Sequence, residues 1–587
     1  MSSTSVPIPP PVTDNGQPLP SQGSDFGPNV LIFNPSTASS IQSQVDNIFQ
    51  QQQSNQFGTQ RYALLFQPGS YEVNLQVGFY TTVCGLGSTP DAVTITGGVN
   101  TTASWFEGNA TQNFWRGVEN IAIIPTVFGS DAMFATSQGT WLRRVHIRGS
   151  LELYDFSATA PGEVNWSSGG FIADSVVDTS INSGSQQQYL LRNSNPTSWT
   201  GQGWNMVFLG DVNTPNGDDW PSTHYTVIPN TPVIREKPYL TVDTSNNYSV
   251  VVPSLKTNSQ GPSWTPSWNN TGTNLTPSNT LPLSDFYIAQ ASQDTANTIN
   301  IALQRNMHLI LTPGVYTLSE PIVVRNPNTV VLGLGLATLS PTNGTPALIV
   351  ADVDGVTIAG LIFDAGTSTS PNLLQFGDVN ASTVSHSANP TVTFDITCRV
   401  GGPAATASTQ SCVVVNSCNV ILDNTWLWRA DHAANPGWTG WTINPSTNGL
   451  IVNSDNVSAY GLFVEHHQGY QTLWNGNGGT VLFYQSEEPY DVPNQAAWTQ
   501  NNENGYPSYK ISENVTSHLC TGLGVYCFFT NPVELENAIE SPPASQIDMQ
   551  RFFTLFLGGN ASSSITHLVN GGGNAVSNTN MSSFSAS

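Results

Sequence analysis

The chain has 587 residues, with 15 Lys and Arg against 39 Asp and Glu, which leaves a formal charge of −24. Only 9 % of its residues are charged, against roughly a quarter in an average soluble domain. So few cations cannot neutralise phosphates, which excludes nucleic acid as a partner, and the acidic field repels polyanions. Neutral, hydroxyl-rich ligands remain.

With 38 % hydrophobic and 10 % aromatic residues, the chain can bury a large core. No apolar run reaches the roughly 18 residues of a membrane span, so no membrane partner is expected. Residues 1–24 read as an extended Pro- and Ser-rich segment without the basic and apolar regions of a signal peptide. Twelve Asn-x-Ser/Thr sequons and an even six cysteines point to a secreted glycoprotein whose leader was removed. Cys412 and Cys418, and Cys520 and Cys527, are close enough in sequence to form disulfides; spacing does not fix the connectivity.

A helix-like stretch at Ala38–Gln52 leads into YALLFQPGSYEVNLQVGFYTTVCGLG at residues 62–87. A second helix-like stretch, Thr295–Gln304, leads into MHLILTPGVYTLSEPIVVRNPNTVVLGLG at 307–335. Both motifs run strand, Pro-Gly-x-Tyr turn, strand, Gly-Leu-Gly. The duplication predicts two homologous domains, 25–261 and 284–587, joined by a linker at 262–283 rich in Pro, Asn, Thr and Ser. Short alternating segments follow in each half: Val118–Ile124, Trp141–Ile147, Phe171–Val177, Val356–Phe363, Val420–Trp428, Val457–Val464 and Val481–Tyr484. Several begin with an Asn-Val or Gly-Val step, and Val457 and Val481 lie 24 residues apart, the length of one coil of a parallel β-helix. The pattern predicts an all-β chain of two tandem right-handed parallel β-helices of the pectin-lyase-like kind; an array of β-sandwiches is the competing arrangement.

The densest chemistry lies at residues 448–491. Glu465 ends one segment, and Glu487-Glu488 end another 22 residues later. Stacked coils bring such positions within about 5 Å, side by side on one face. Two carboxyls facing one bond are what glycoside hydrolysis requires, and crowding raises one pKa to suit a general acid. Tyr470, Trp474, Tyr490 and Trp498 ring the cluster, with Asp491 beside it. Trp426, Trp428, Trp438 and Trp441 on the preceding coil are candidates for stacking on sugar faces. His466 and His467, adjacent on a strand, point to opposite faces, one placed to hold water and the other to bond within the structure. No ligand set for a metal is evident, and no cofactor is expected. In the first half, Gln186, Gln187 and Gln188 either bind hydroxyls or water at a cleft or stack inward to support the rungs. Arg192, Arg235 and Lys237 read as ion-paired anchors.

The tandem halves, the linker and GYQTLWNGNGGTVLFYQSE with a Glu 22 residues earlier resemble glycoside hydrolase family 55, β-1,3-glucanases of the laminarinase type. The wording is also similar to a group of secreted fungal and bacterial proteins. The resemblance implies sugar release from chain ends, with inversion, in a cleft between two β-helices. It implies Glu487 as general acid, with Glu488 the alternative one position on, and Glu465 holding water or polarising the site. Gln188 is then a water-orienting residue. The remaining substrate contacts would fall to Tyr470, Trp474, His466, His467, Tyr490, Asp491, Trp441 and Arg192. The expected protein is a monomeric, secreted hydrolase of a neutral polysaccharide. A non-catalytic glycan-binding β-helix is the alternative, followed by a polysaccharide lyase, which the scarcity of Lys disfavours.

Overall fold

The computed structural model describes residues 4–20, 25–157, 165–264, 270–543 and 545–585. Its rungs start from the corners the sequence marks. Gly355, Asn419, Asn456 and Gly478 adopt φ of +71°, +61°, +59° and +64°, a left-handed region that glycine and asparagine enter at low cost. Val356, Val420 and Val457, one residue on, are fully buried. The Asn-Val and Gly-Val steps at Gly355, Asn419 and Asn456 are therefore turn-then-core instructions.

Between corners the strands stack in parallel. The first half contains β1 (Thr140–Ile147) and β2 (Gln188–Arg192). The second contains β3 (Val392–Val400), β4 (Ile421–Arg429), β5 (Ser458–Glu465), β6 (Gly479–Glu487), β7 (Ser517–Phe529) and β8 (Gln546–Gly559). β3 to β8 are successive neighbours in one 13-stranded sheet. Ser458 pairs with Thr480 and Glu465 with Glu487, so this coil is 22 residues long. The spacing of 24 between Val457 and Val481 overshoots, because Val481 stands opposite Ala459. Along the register, Cys398, Leu427 and Val464 form an inward column, and the next residues, Arg399, Trp428, Glu465 and Glu487, form an outward one. The alternation of strand side chains makes core and cleft of adjacent residues.

The duplication is structural as well as textual. The tyrosine of each Pro-Gly-x-Tyr turn folds back to donate to two carbonyls of its own half: Tyr71 to Phe33 and Gln67, Tyr316 to Ala289 and Thr312. Each half opens with a helix, α1 (Ala38–Gln52) and α2 (Ala296–Gln304). Ile41, Val45 and Ile48 of α1 join one core, and Ile299, Ala302 and Leu303 of α2 the other, an apolar stripe laid across the coil end.

Two of the expected connecting segments carry structure of their own. Thr273–Asn274 and Asn279–Pro282, within the expected linker, are strands that pair with Leu255–Ser259 and Tyr248–Val252. The stretch is thus part of small antiparallel sheets between the halves; residues 265–269 lie outside the described residues. The N-terminal segment docks on the second half: Val6 bonds both ways with Gln375, Asp14 pairs with Arg305 at 2.7 Å, and Leu19 joins the second core. Residues 1–3 and 21–24 of that segment are not described.

All six cysteines are thiols. Cys520 and Cys527 lie seven residues apart on the single strand β7, about 23 Å at strand rise, beyond any disulfide. The Cys418 thiol donates to the Ser382 carbonyl at 3.1 Å, while Cys412 faces the core.

The halves meet through the few cations the chain owns. Arg143 of β1 grips Asp395 at 2.8 Å and Asp423 at 2.8 Å. Arg192 of β2 binds Asp423 at 2.9 Å and Glu236 at 2.7 Å. Lys237 bonds Glu119 and, at 3.0 Å, Asp395. Arg235 reaches Asn389 at 3.0 Å. The first half supplies the cations and the second supplies Asp395 and Asp423, all buried. Arg192 is therefore an anchor of the interface and makes no contact with the cleft.

Candidate active site

The outward column of β4 to β6 delivers Trp428, Glu465 and Glu487 to a cleft of about 190 Å³ between the halves. From the second half the wall also takes Asp431, His432, His466, Tyr490 and Leu557; from the first come Thr111, Gln112, Phe114, Gln138, Ser168 and Gln187. Glu465 and Glu487 pair in register, so their backbones are about 4.8 Å apart and both side chains leave the same face.

Each carboxylate has its own holders. Gln138 of the first half donates to Glu465 Oε1 at 2.9 Å, and Trp426 Nε1 donates to Oε2 at 2.9 Å. Ser168 Oγ donates to Gln138 Oε1 at 2.8 Å, which fixes the amide with its N–H groups toward Glu465. Gln485 donates to Glu487 Oε1 at 3.2 Å and the Tyr490 hydroxyl to Oε2. Burial, and then the charge of Glu487, push Glu465 well above the usual carboxylate range. Burial also raises Glu487, against the pull of His466 and the Tyr490 hydrogen bond. The pair thus titrates as a unit with its protons held late.

The aromatic floor is shared. Phe114 packs on Trp426 at 4.6 Å, Trp115 on Trp426 at 5.7 Å, and His432 on Trp428 at 5.2 Å. Asp431 and His432 pair at 2.8 Å, and the His466 ring stands edge-on to Tyr490 at 4.4 Å.

Of the residues proposed from sequence, the structure gathers Glu465, Glu487, His466, Tyr490, Trp428 and Gln187 in this cleft and places those that follow elsewhere. Glu488, one position past Glu487, turns inward: it is fully buried, and neither oxygen has a hydrogen-bond partner among the described residues. His467 likewise faces the coil interior, where its Nδ1 meets Ser446 at 2.8 Å. Trp474 and Trp498 are core residues. Tyr470 donates to Gln500 at 2.5 Å and packs on Tyr506. Asp491 forks onto Arg429 at 2.7 and 2.8 Å, with Trp441 under the same guanidinium. Gln188 donates to the Ser168 carbonyl and accepts from Tyr526 at 2.6 Å, stitching the halves together, while its neighbour Gln187 lines the cleft. Among the described residues, no group of three or more His, Cys, Asp or Glu is arranged to hold a metal ion.

Gln138, Ser168, Asp431 and His432 escaped the sequence reading. Asp431-His432 carried a signal: Trp428 is the register mate of Glu465, and an adjacent Asp-His pair follows it by three residues, just past the end of β4. Gln138 and Ser168 carried none, because only the docking of the halves gives them Glu465 as a neighbour.

A tandem β-helix that closes two carboxyls and an aromatic floor into one cleft defines a carbohydrate-active hydrolase. Comparison with known proteins gives the particular family. The LAM55 pectate lyase-like domain matches residues 286–487. The chain is 44 % identical over 558 residues to an exo-β-1,3-glucanase of Streptomyces sp. strain SirexAA-E, covering 94 % of this chain and 88 % of that one. The crystal structure of sacteLam55A from Streptomyces sp. SirexAA-E superposes with a TM-score of 0.90 at 42 % identity, over 97 % of this chain and 100 % of that one. A glutamate-to-alanine variant of the same protein, in complex with glucose, also superposes with a TM-score of 0.90, at 41 % identity over 97 % and 99 % of the two chains. The chain belongs to glycoside hydrolase family 55.

Proposed function

We propose that this chain is a secreted exo-β-1,3-glucanase that removes sugars from the ends of a neutral glucan with inversion. The observation that carries this reading is the in-register Glu465–Glu487 pair, enclosed in a cleft with walls from both halves. A volume of about 190 Å³ is below the roughly 300–1,000 Å³ of sites that swallow drug-sized ligands; it suits a terminal sugar rather than a chain passing through. Among the described residues the cleft wall includes no Lys or Arg, the cations that lyase chemistry would use to neutralise a uronate. The relatives' activity on β-1,3-glucan supports the linkage.

Glu487 is the general acid: its enclosed carboxyl retains the proton it passes to the leaving oxygen. An inverting acid and base sit roughly 6.5–9.5 Å apart with water between, whereas neighbouring rungs start Glu465 about 4.8 Å from Glu487. The attacking water therefore belongs on the first-half wall, where Gln138, Ser168 and Gln187 converge. Glu465, as the carboxylate of the pair, holds that water together with Gln138 and takes the proton it gives up, and its charge stabilises the sugar cation as it develops.

The test is release of glucose from laminarin by wild type and by Glu487→Gln, with the anomer of the first product followed by NMR. Wild type should yield the α-anomer, and the variant should release glucose about 10²–10⁴-fold more slowly while keeping its circular dichroism. Undiminished hydrolysis by the variant would sink the assignment.

A further inference from the structure

The antiparallel insert between the halves bounds a second cavity, of about 290 Å³ against about 190 Å³ for the catalytic cleft; the two share no wall residue among those described. Its floor is a corner of the first-half coils. Asn120, Arg144, Asp174, Asn193 and Gly210 each follow one of a column of register mates, and all five adopt a left-handed φ between +49° and +65°. Asparagine, aspartate and glycine enter that region at low cost and arginine does not; strain of this kind gathers at ligand clamps. Arg144 is buried, yet loosely held. Its contacts to Asp174, Ser88, Ser263 and Asn120 span 3.2–3.4 Å, against 2.8 Å for Arg143 on Asp395. Lys256, also in the wall, donates to Asn270 at 2.6 Å and pairs with no carboxylate among the described residues.

Both signs of charge face the space. Asp174, pushed up to about 6 by burial and by the charge of Glu236, is the ion-pair partner of Arg144, and Glu236 itself lines the wall. An anion would meet those carboxyls, and a cation would meet Arg144 and Lys256. A neutral ligand with adjacent hydroxyls, each both donor and acceptor, satisfies the two together. Ser88 and Val251 also border a wider groove of about 850 Å³, which runs along Thr241, Asn246, Ser249 and Thr280 with no Lys or Arg among its described wall residues.

We infer that this cavity and groove are a second, non-catalytic binding site for the neutral glucan, with a chain end in the cavity and the following sugars along the groove. The inference rests on the substrate named in the proposed function and gives that substrate a second hold on the molecule. A long chain, or a particle of many chains, engages cleft and groove at once, and two linked contacts bind more tightly than either alone. A disaccharide engages only the cleft that cleaves it.

The experiment sets Arg144→Ala and Ser278→Trp, the latter filling the cavity from its exposed rim, beside the parent protein in two assays. Retardation in native gels containing laminarin, measured in the Glu487→Gln background so that the polymer survives, should weaken about five- to tenfold in both variants. With Glu487 restored, kcat/KM on the β-1,3-linked glucose disaccharide should stay at the wild-type value. Ser278→Trp decides the case if Arg144→Ala unfolds. Unchanged retardation of either folded variant, or an equal loss on the disaccharide, overturns the inference and leaves the proposed function standing. Wild type that neither cleaves laminarin nor is retarded by it overturns both.

Discussion

The two halves share a helix-led entry and a Pro-Gly-x-Tyr turn and divide the work unequally. The second half keeps regular rungs: β4, β5 and β6 stack without offset from Trp428 through Glu465 to Glu487, and the carboxylates ride on that regularity. Among the described residues the first half contributes no carboxyl to the cleft wall; it supplies amides and hydroxyls, Gln138, Ser168, Gln187 and Thr111, together with the cations that hold the assembly. Rigid strands place the two carboxyls, and the first half sets amides and hydroxyls opposite them. A duplicated fold thus gains a two-walled site without inventing a second architecture.

The division is broken most severely at the acid. Glu487→Gln keeps the shape and removes the proton, so kcat on laminarin should fall by about 10²–10⁴-fold, the usual contribution of a general acid, with thermal stability unchanged. Next comes the seam. Asp423 accepts from both Arg143 and Arg192, and Asp423→Ala leaves two buried guanidiniums short of a partner. Removing one member of a buried ion pair costs about 3–5 kcal/mol, and urea melts should show it. If stability holds but activity is lost, the seam serves to align the walls rather than to join them. The first-half wall should yield a smaller effect. Gln138→Ala should lower kcat by about 10–100-fold, the range of one positioned group, with KM nearly unchanged. A matching rise in KM would instead make Gln138 a sugar-binding residue.

Local physics was legible in the sequence and assembly was not. The Asn-Val and Gly-Val corners announced the rungs because a left-handed turn has a residue preference, and the Pro-Gly-x-Tyr repeat announced both halves. Glu465 and Glu487 could be paired because one coil separates them. Their neighbours follow two rules: Glu488 turns inward as alternation requires one residue past Glu487, whereas alternation fails after Glu465, where His466, at φ +66°, stays at the cleft and His467 turns inward. Gln187 and Gln188 are one residue apart and differ only in which side of β2 their neighbours occupy. Gln138 faces Glu465 across 327 positions of sequence, and no local pattern encodes that approach. The Cys520–Cys527 proximity failed for the opposite reason, since nearness in sequence is distance along an extended strand.

The smallest effect concerns the carboxyl that the second half buries to no catalytic end. Burial raises Glu488 well above the usual carboxylate range, whereas the unfolded chain returns it to about 4.3. Below that value both states hold the proton and the buried carboxyl costs no ionisation. As pH rises, the unfolded state ionises and the folded state does not, so the folded state binds more protons and stability falls, by about 1.36 kcal/mol per pH unit for one such group, until the folded pKa is reached. Glu488→Gln is neutral in both states and removes that slope. Urea melts from pH 4 to pH 8 should therefore show the variant level with wild type at the acid end and gaining on it steadily above pH 5. Glu465, raised in the same sense, is present in both proteins and cancels from the difference. Parallel curves would mean that Glu488 ionises in place, and with that the coil interior would have to offer it a partner that the first half already gives Glu465.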